Sequence, residues 1–581
     1  MILDNADLYI KYTPTDGGDE LFTDDSNDDI VVERHFDGNA DGSNNGVLDI
    51  FIKTARPIKI NQIGLIERYG FKPDTVFFGN GHQSWTDTRE YRRSDKMRDL
   101  GAVGKDKSKF QFWQRLTGSN GASMFKKQSP EPIGDVYVNA GDYLYANYER
   151  RTGFFHSVSY TYLKNDAELT LIGSLNERTG YTVIYADMPA GILKIEKDLE
   201  GVIIDGEYHV FSLFIKDGGY DEVFDAYFDR LGAKPRAVAP LKGYTSWYNY
   251  YSNINQDIIL RDLDALSAAA PEINAFQIDD GFQTAVGDWL SIDSKKFPDG
   301  MKVIADAIHK KGLKAGLWLA PLAAQHDSKI LAEHPEWFIK NPDGKNRKIG
   351  HNWGGFYGLN FYLPEVRAHI KNFFDVVLNQ WGYDLVKLDF LYAASVLPLN
   401  GKTRAENMFD AMQLIRECVG DKEILGCGVP IMPCVNQVEY MRIGADMGLS
   451  WSQFIFGMVT TREDVNTRNA VHNGINRRHL NKRVFMNDPD VFLLRDYNIN
   501  MTAAQKELLA RLIKLNGGVF FTSDDVNRYG EEQKKILKYM FSDPEIKVGG
   551  VVFKNNIYTI EYTENGVEKT LSFSMKNGKI L

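Results

Sequence analysis

Between about Pro240 and Tyr529 the sequence alternates eight times between a short apolar strand and an amphipathic helix. The predicted strands are GYTSWYN (243–249), AFQID (275–279), KAGLWLA (314–320), LVKLDF (385–390), EILGCG (423–428), YMRIGA (440–445), RVFMN (483–487) and GVFFTS (518–523). The helix ahead of the fourth strand is the clearest. Val366, Ile370, Phe373, Phe374, Val377, Leu378 and Trp381 recur at helical spacing, and Gly382 follows as a stop signal. Eight alternations over roughly 290 residues match a closed parallel (β/α)8 barrel, which typically takes about 250. A doubly wound open sheet is the alternative, but the Gly-rich phosphate turn that usually follows its first strand is absent.

The flanks read differently. From Met1 to about Arg230 the pattern has period two, with Leu48, Ile50 and Ile52 alternating with Asp49, Phe51 and Lys53. DVYVNAG, FHSVSYTYL, AELTLIG, YTVIYAD, ILKIEKDL and HVFSLFI continue it between Gly, Asn and Asp turns, which predicts a large antiparallel sandwich. After Tyr529 a helix over about 531–541 precedes a second antiparallel pattern, where Asn565-Gly566 between YTIEYT and VEKTLSF marks a two-residue hairpin. The expected chain is multidomain: an N-terminal antiparallel β-sandwich over 1–232, a catalytic (β/α)8 TIM barrel over 233–530, and a small C-terminal antiparallel β domain over 531–581.

Charge and composition narrow the function. Lys and Arg number 68 against 78 Asp and Glu, a net charge of −10, and no stretch concentrates the basic residues as a nucleic-acid footprint requires. The longest apolar stretch, Ala315 to Ala324, falls short of the roughly 20 residues of a membrane span. No basic segment followed by an apolar one opens the chain, so no signal peptide is expected. Three cysteines (Cys418, Cys427 and Cys434) suit a reducing compartment rather than a disulfide framework. The expected location is the cytoplasm.

Barrels of this kind carry their chemistry at the C-terminal ends of the strands. Asp279 and Asp280 close the second predicted strand, and Trp318 lies near the end of the third. Lys387 and Asp389, two apart on the fourth, face the same way. Cys427 ends the fifth, and Arg442 with Asp446 bracket the end of the sixth. Any one Asp there fits a loop cap or an ion pair. Four carboxylates and two cations converging on one mouth do not fit packing, because unpaired buried charge is expensive. The residue types suit glycoside cleavage, which needs one carboxyl to attack or to activate water and another to protonate the leaving oxygen. Sugar hydroxyls take polar partners, and an aromatic face takes their C–H side.

The motifs GHQSW (81–85), GYTSWYNYY (243–251), FQIDDGFQ (276–283), GLWLAP (316–321), LVKLDF (385–390), LGCGVP (425–430) and MRIGAD (441–446) stand in one order. In that order they resemble the α-galactosidases of glycoside hydrolase family 36, and the shorter bacterial and archaeal branch in particular. The resemblance spans the barrel and much of the N-terminal region. It implies a retaining exo-α-galactosidase that removes terminal α-linked galactose from galacto-oligosaccharides by double displacement, with no cofactor and no metal. It implies Asp389 as nucleophile and Asp446 as acid/base. It also implies that Asp279 and Asp280 hold O4 and O6 of galactose, and that Lys387 and Arg442 bind ring hydroxyls and keep the catalytic pair oriented. Trp318 and Trp247 would line the sugar pocket, Cys427 would lie beside C2, and Trp85 would reach over the mouth from the N-terminal region.

Other signals carry less. The segment from Asp37 to Gly42 starts like a calcium loop, but position twelve is Leu48 where a bidentate Glu is needed. His82 and His326 have no HExxH or Cys/His cluster around them. Gly79-Asn80-Gly81 reads as a turn, 23–29 as a solvated loop, and Cys418 and Cys434 as structural thiols. An α-N-acetylgalactosaminidase or a raffinose-synthase-like α-galactosyltransferase would use the same carboxylates. A Schiff-base aldolase built on Lys387 would need a lowered amine pKa, which flanking carboxylates oppose. A non-catalytic glycan-binding protein would not need both carboxylates. The sequence does not specify the aglycone or an oligomeric state.

Overall fold

The computed structural model describes residues 3, 6–38, 45–99, 138–166, 168–237, 239–452 and 461–581. Eight short parallel strands form its central sheet: Leu241–Thr245, Ala275–Ile278, Lys314–Leu319, Leu385–Leu388, Glu423–Gly426, Tyr440–Arg442, Met486–Asp488 and Val519–Thr522. Neighbours in the chain are neighbours in the sheet, and the eighth strand pairs with the first. The Gly518 N–H donates to the Asn487 carbonyl at 2.8 Å, which draws the eighth strand to the seventh and nearly closes the barrel. Almost every strand residue is buried, as expected where helices cover a parallel sheet. Gly243 is required by its neighbour, since a Cβ there would stand 1.8 Å from the Ala275 carbonyl oxygen.

Local chemistry sets the helix ends. Asn255 caps Gln256–Ala269, and Thr403 with Glu406 forms a capping box for Arg404–Val419. The helix predicted before the fourth strand runs Pro364–Asp375 and then widens into a π-turn, Val376–Gln380, before Gly382 turns with φ +86°. Its predicted apolar face is buried except for Trp381, which is half-exposed.

The first barrel strand is shorter than expected. It stops at Thr245, and Trp247–Tyr250 is a helical turn. Side chains take the groups that a longer strand would need: Ser523 Oγ donates to the Thr245 carbonyl, and Ser246 Oγ accepts the Asp279 N–H. FHSVSYTYL also divides, into Phe154–Val158 and Tyr160–Asn165, which lie in different sheets. Between them Ser159 takes φ 69° and donates its hydroxyl to Glu177. Of DVYVNAG, residues 135–137 lie outside the described residues and Val138–Ala140 is a 3-10 turn. Residues 39–42 of the calcium-like segment lie outside the described residues as well.

Among the described residues the N-terminal region holds two seven-stranded antiparallel sheets. Ile10, Ile50, Ile63, Leu65 and Ile195 belong to its own apolar core. After the barrel come the helix Glu531–Phe541 and a three-stranded antiparallel sheet. Asn565 (φ 52°) and Gly566 (φ 77°) make its second hairpin, the left-handed pair that a two-residue turn requires. Tyr558, Ile560 and Phe573 of this sheet join the apolar cluster of the barrel. Among the described residues no helix is long and apolar enough to cross a membrane.

Candidate active site

The second and fourth strands end side by side around one ion pair. Lys387 Nζ donates to Asp279 Oδ2 at 2.8 Å, and both residues are buried. Asp279 also accepts from Gln277 Nε2 at 3.0 Å and from the Asp280 N–H at 2.9 Å. Burial alone would raise its pKa, but the charge and hydrogen bond of Lys387 hold it below the ordinary carboxylate value. Burial opposes the charge of Lys387 too, and Asp279 more than offsets it, so the ammonium pKa is raised. Lys387 therefore pairs directly with Asp279, and the charge of Asp389 acts on it in the same direction.

Asp389 follows directly on this strand. Its Oδ1 accepts the Phe390 N–H at 2.8 Å and its Oδ2 the indole N–H of Trp318 at 3.2 Å. Burial raises its pKa; Lys387 pulls the other way, and the charge of Asp446 pushes with burial. Asp280 is buried and raised for the same first reason. It accepts from Gln283 Nε2 at 2.6 Å and from the Trp353 indole at 2.9 Å.

Across the mouth, Arg442 sits among three carboxylates. It reaches Asp446 at 2.7 Å, Asp488 at 3.0 Å and Asp490 at 2.8 Å. The Asp446 side chain is 36% exposed while its partners are buried, so it is the carboxylate of this group open to a ligand. Asp490 takes φ +81°, strained for a non-glycine residue, and accepts from Tyr248 Oη and the Met447 N–H. It thereby fixes the turn that carries Asp446.

An aromatic rim closes the group. Trp353 lies 4.8 Å from Phe390 and 6.1 Å from Trp318 between ring centres. Trp85, from the sandwich, stands edge-on to Phe390 at 5.3 Å and to Tyr392 at 5.9 Å. A Cβ on Gly428 (φ +55°) would meet both the Trp85 ring and Asp389 Oδ1 at 2.9 Å, so the sandwich tryptophan and Asp389 border the same gap. Gly428 N–H also donates to Ser84 Oγ at 3.0 Å, which docks the 81–85 motif on the 425–430 motif. Cys427 is buried, and burial, with the charge of Asp389, raises its thiol well above the usual range. Trp247 is half-buried beside Tyr251 at 5.1 Å, with no hydrogen bond to this group of carboxylates among the described residues. His82 is buried and bonded to Tyr145 Oη at 2.8 Å, and His326 meets the Trp353 carbonyl at 3.0 Å.

The model of the family described as Melibiase matches residues 241–407, the segment that carries Asp279, Asp280, Trp318, Lys387 and Asp389. Over those residues the chain is similar to the melibiase family. Two curated relatives align with part of the chain. An A type blood α-D-galactosamine galactosaminidase from Flavonifractor plautii is 32% identical over 158 residues, 26% of this chain and 14% of that protein. An α-galactosidase from Escherichia coli is 28% identical over 193 residues, 31% of this chain and 26% of that protein. The alignments thus span less than a third of either relative. Among solved structures, an α-galactosidase from Thermus thermophilus in complex with p-nitrophenyl α-D-galactopyranoside has a TM-score of 0.69 at 24% identity, over 95% of this chain and 97% of that one. A GH36 α-galactosidase from Geobacillus stearothermophilus has a TM-score of 0.61 at 11% identity, over 97% and 80%. These last two are likenesses of fold.

The fold brings Lys387 and Asp389 of that matched segment, with Asp279 and Asp280 beside them, within electrostatic reach of Arg442 and Asp446, which lie beyond it, and three further contributors were not foreseen. Asp488 and Asp490 share Arg442, and their DPD segment directly at the end of the seventh strand could have been flagged by position alone. Trp353 sits at φ 54° in the segment between two strands of a small three-stranded sheet, inserted after the third barrel strand. An aromatic followed by two glycines on the top loop was its only sequence signal.

Proposed function

We propose that this chain is a retaining exo-α-galactosidase, with Asp389 as nucleophile and Asp446 as general acid/base. One observation carries the reading: Asp389 is held by the Trp318 and Phe390 N–H groups while Asp446, on Arg442, is an accessible carboxylate near enough for its charge to act on Asp389. In the first step Asp389 attacks the anomeric carbon while the Asp446 proton passes to the leaving oxygen. In the second, Asp446 takes a proton from water as the water oxygen bonds to the anomeric carbon and the glycosyl–Asp389 bond breaks, which releases galactose and restores both carboxyl groups. Asp279 and Asp280, already fixed by Lys387, Gln283 and Trp353, supply acceptors for the hydroxyls at C4 and C6. Units 1–232, 233–530 and 531–581 divide the work, the first two supplying site residues. The ion pair that raises the Lys387 pKa weighs against a Schiff-base aldolase. An α-N-acetylgalactosaminidase is the second reading, since the name of the Flavonifractor relative, an α-D-galactosamine galactosaminidase, also points to a nitrogen substituent at C2 of the sugar. Nitrophenyl α-galactoside, α-glucoside and α-N-acetylgalactosaminide assayed side by side separate them. Hydrolysis of the first alone supports the proposal, and preference for either other sugar overturns it.

A further inference from the structure

The loop that carries Trp85 belongs to the sandwich, yet its backbone is held by a barrel helix. Helix Thr467–Asn476 and the residue after it present Asn469, Asn473 and Arg477, four apart in sequence and so on one helical face, to residues 80–88. Arg477 is buried, and each of its five N–H groups has a partner. Nε donates to Asn80 Oδ1 at 3.4 Å, Nη1 to the carbonyls of Ser84 (2.8 Å) and Ile443 (2.9 Å), and Nη2 to those of Gly81 (2.9 Å) and Gln83 (3.0 Å). Asn473 Nδ2 donates to the carbonyls of Ser84 at 3.3 Å and Thr86 at 3.2 Å, and its Oδ1 accepts the Thr88 N–H at 2.9 Å. Asn469 Nδ2 donates to the carbonyl of Trp85 itself at 3.2 Å.

Arg477 has no carboxylate at ion-pair distance among the described residues, and burial pushes its guanidinium down to about 10. A buried cation solvated only by neutral oxygens is expensive unless its geometry does something else. What it does is tie three parts together. The same guanidinium grips the carbonyls on either side of the GHQSW turn and that of Ile443, the residue after Arg442.

We propose that the Asn469–Asn473–Arg477 face is the positioning element that sets Trp85 at the mouth beside Asp389, with Arg477 as its principal member. Trp85's role at the mouth rests on the function proposed above; the clamp on its loop does not. The test compares the full-length protein with Arg477→Lys, Arg477→Gln, Asn473→Ala, Trp85→Ala and Arg477→Lys/Trp85→Ala. Lysine keeps the charge but offers three donors in place of a five-donor planar fork. Hydrogen–deuterium exchange should show the amides of 81–88 exchanging at least about tenfold faster in Arg477→Lys, with the barrel strands unchanged. Asn473→Ala should give a smaller rise in the same peptide, and it decides the matter if neither Arg477 variant folds. For an α-galactosyl oligosaccharide, Arg477→Lys should raise KM more than it lowers kcat, and adding it to Trp85→Ala should cause no further loss. Unchanged exchange in 81–88, or losses from Arg477 and Trp85 that multiply, would overturn the clamp. A wild-type protein inert on α-galactosides would instead refute the proposed function, and exchange would still decide the clamp.

Discussion

Residue by residue, the carboxylates at the barrel mouth look alike in sequence and differ in their surroundings. Asp389 is buried and fixed by two N–H donors, whereas Asp446 is partly exposed and fixed by one guanidinium. Replacing Asp389 with Ala should cut turnover by at least about a thousandfold without unfolding the protein, and azide should restore activity as the β-azide. Near-native activity of that variant on an activated aryl galactoside would remove Asp389 from the mechanism. Losing Asp446 should slow substrates with poor leaving groups by about 10²–10⁴ and nitrophenyl substrates far less, because only the former need a proton. A pre-steady-state glycosylation rate reduced equally for both would count against the acid role. Asp280→Asn should narrow the galactose-to-glucose ratio in kcat/KM, since buried acceptors penalise the epimer that leaves them unpaired, by factors of up to about 10⁴. An unchanged ratio would mean that Asp280 does not read O4.

At the scale of elements, the barrel was legible because each strand is a short apolar run bounded by a helix, a pattern that burial on both faces imposes. All eight predicted strands are present, and the residues expected at their C-terminal ends converge there. What was not legible is what breaks the periodicity. The chain leaves the first strand at Ser246 because the Ser523 hydroxyl claims the Thr245 carbonyl and the Ser246 hydroxyl itself takes the Asp279 N–H, contacts between residues far apart in sequence. Trp353 is invisible for the same reason, since its left-handed backbone and its bond to Asp280 depend on the inserted sheet. Trp353→Phe keeps the ring and removes the donor. It should lower kcat/KM for galactosides by about tenfold or more, one hydrogen bond to a charged group being worth about 1.5–3 kcal/mol. A circular dichroism spectrum and melting temperature like the wild type's would assign that loss to the site. Unaltered kinetics would show that Asp280 needs no indole partner.

At the scale of the whole molecule, the sandwich and the barrel meet through buried polar groups as well as apolar ones. Glu463, just after the sixth strand's loop, accepts from Thr86 Oγ1 and Tyr143 Oη of the N-terminal region. Burial and the charge of Asp142 push its carboxyl up to about 7, against those hydrogen bonds and Arg462. An unfolded glutamate loses its proton near about 4.3. Between these values the native state keeps a proton that the unfolded state has released, so stability contributed by this group falls as pH rises through the window. Glu463→Gln should therefore shrink the loss of stability between pH 4 and pH 8 by on the order of 3 kcal/mol in chemical unfolding. An unchanged pH profile would mean that Glu463 is already ionised in the fold. In a time-resolved proton NMR spectrum of an α-galactoside digest, double displacement through Asp389 predicts α-galactose as the first anomer, with the β-anomer growing in only by mutarotation. First appearance of β-galactose would require a direct attack by water and would contradict Asp389 as a covalent nucleophile.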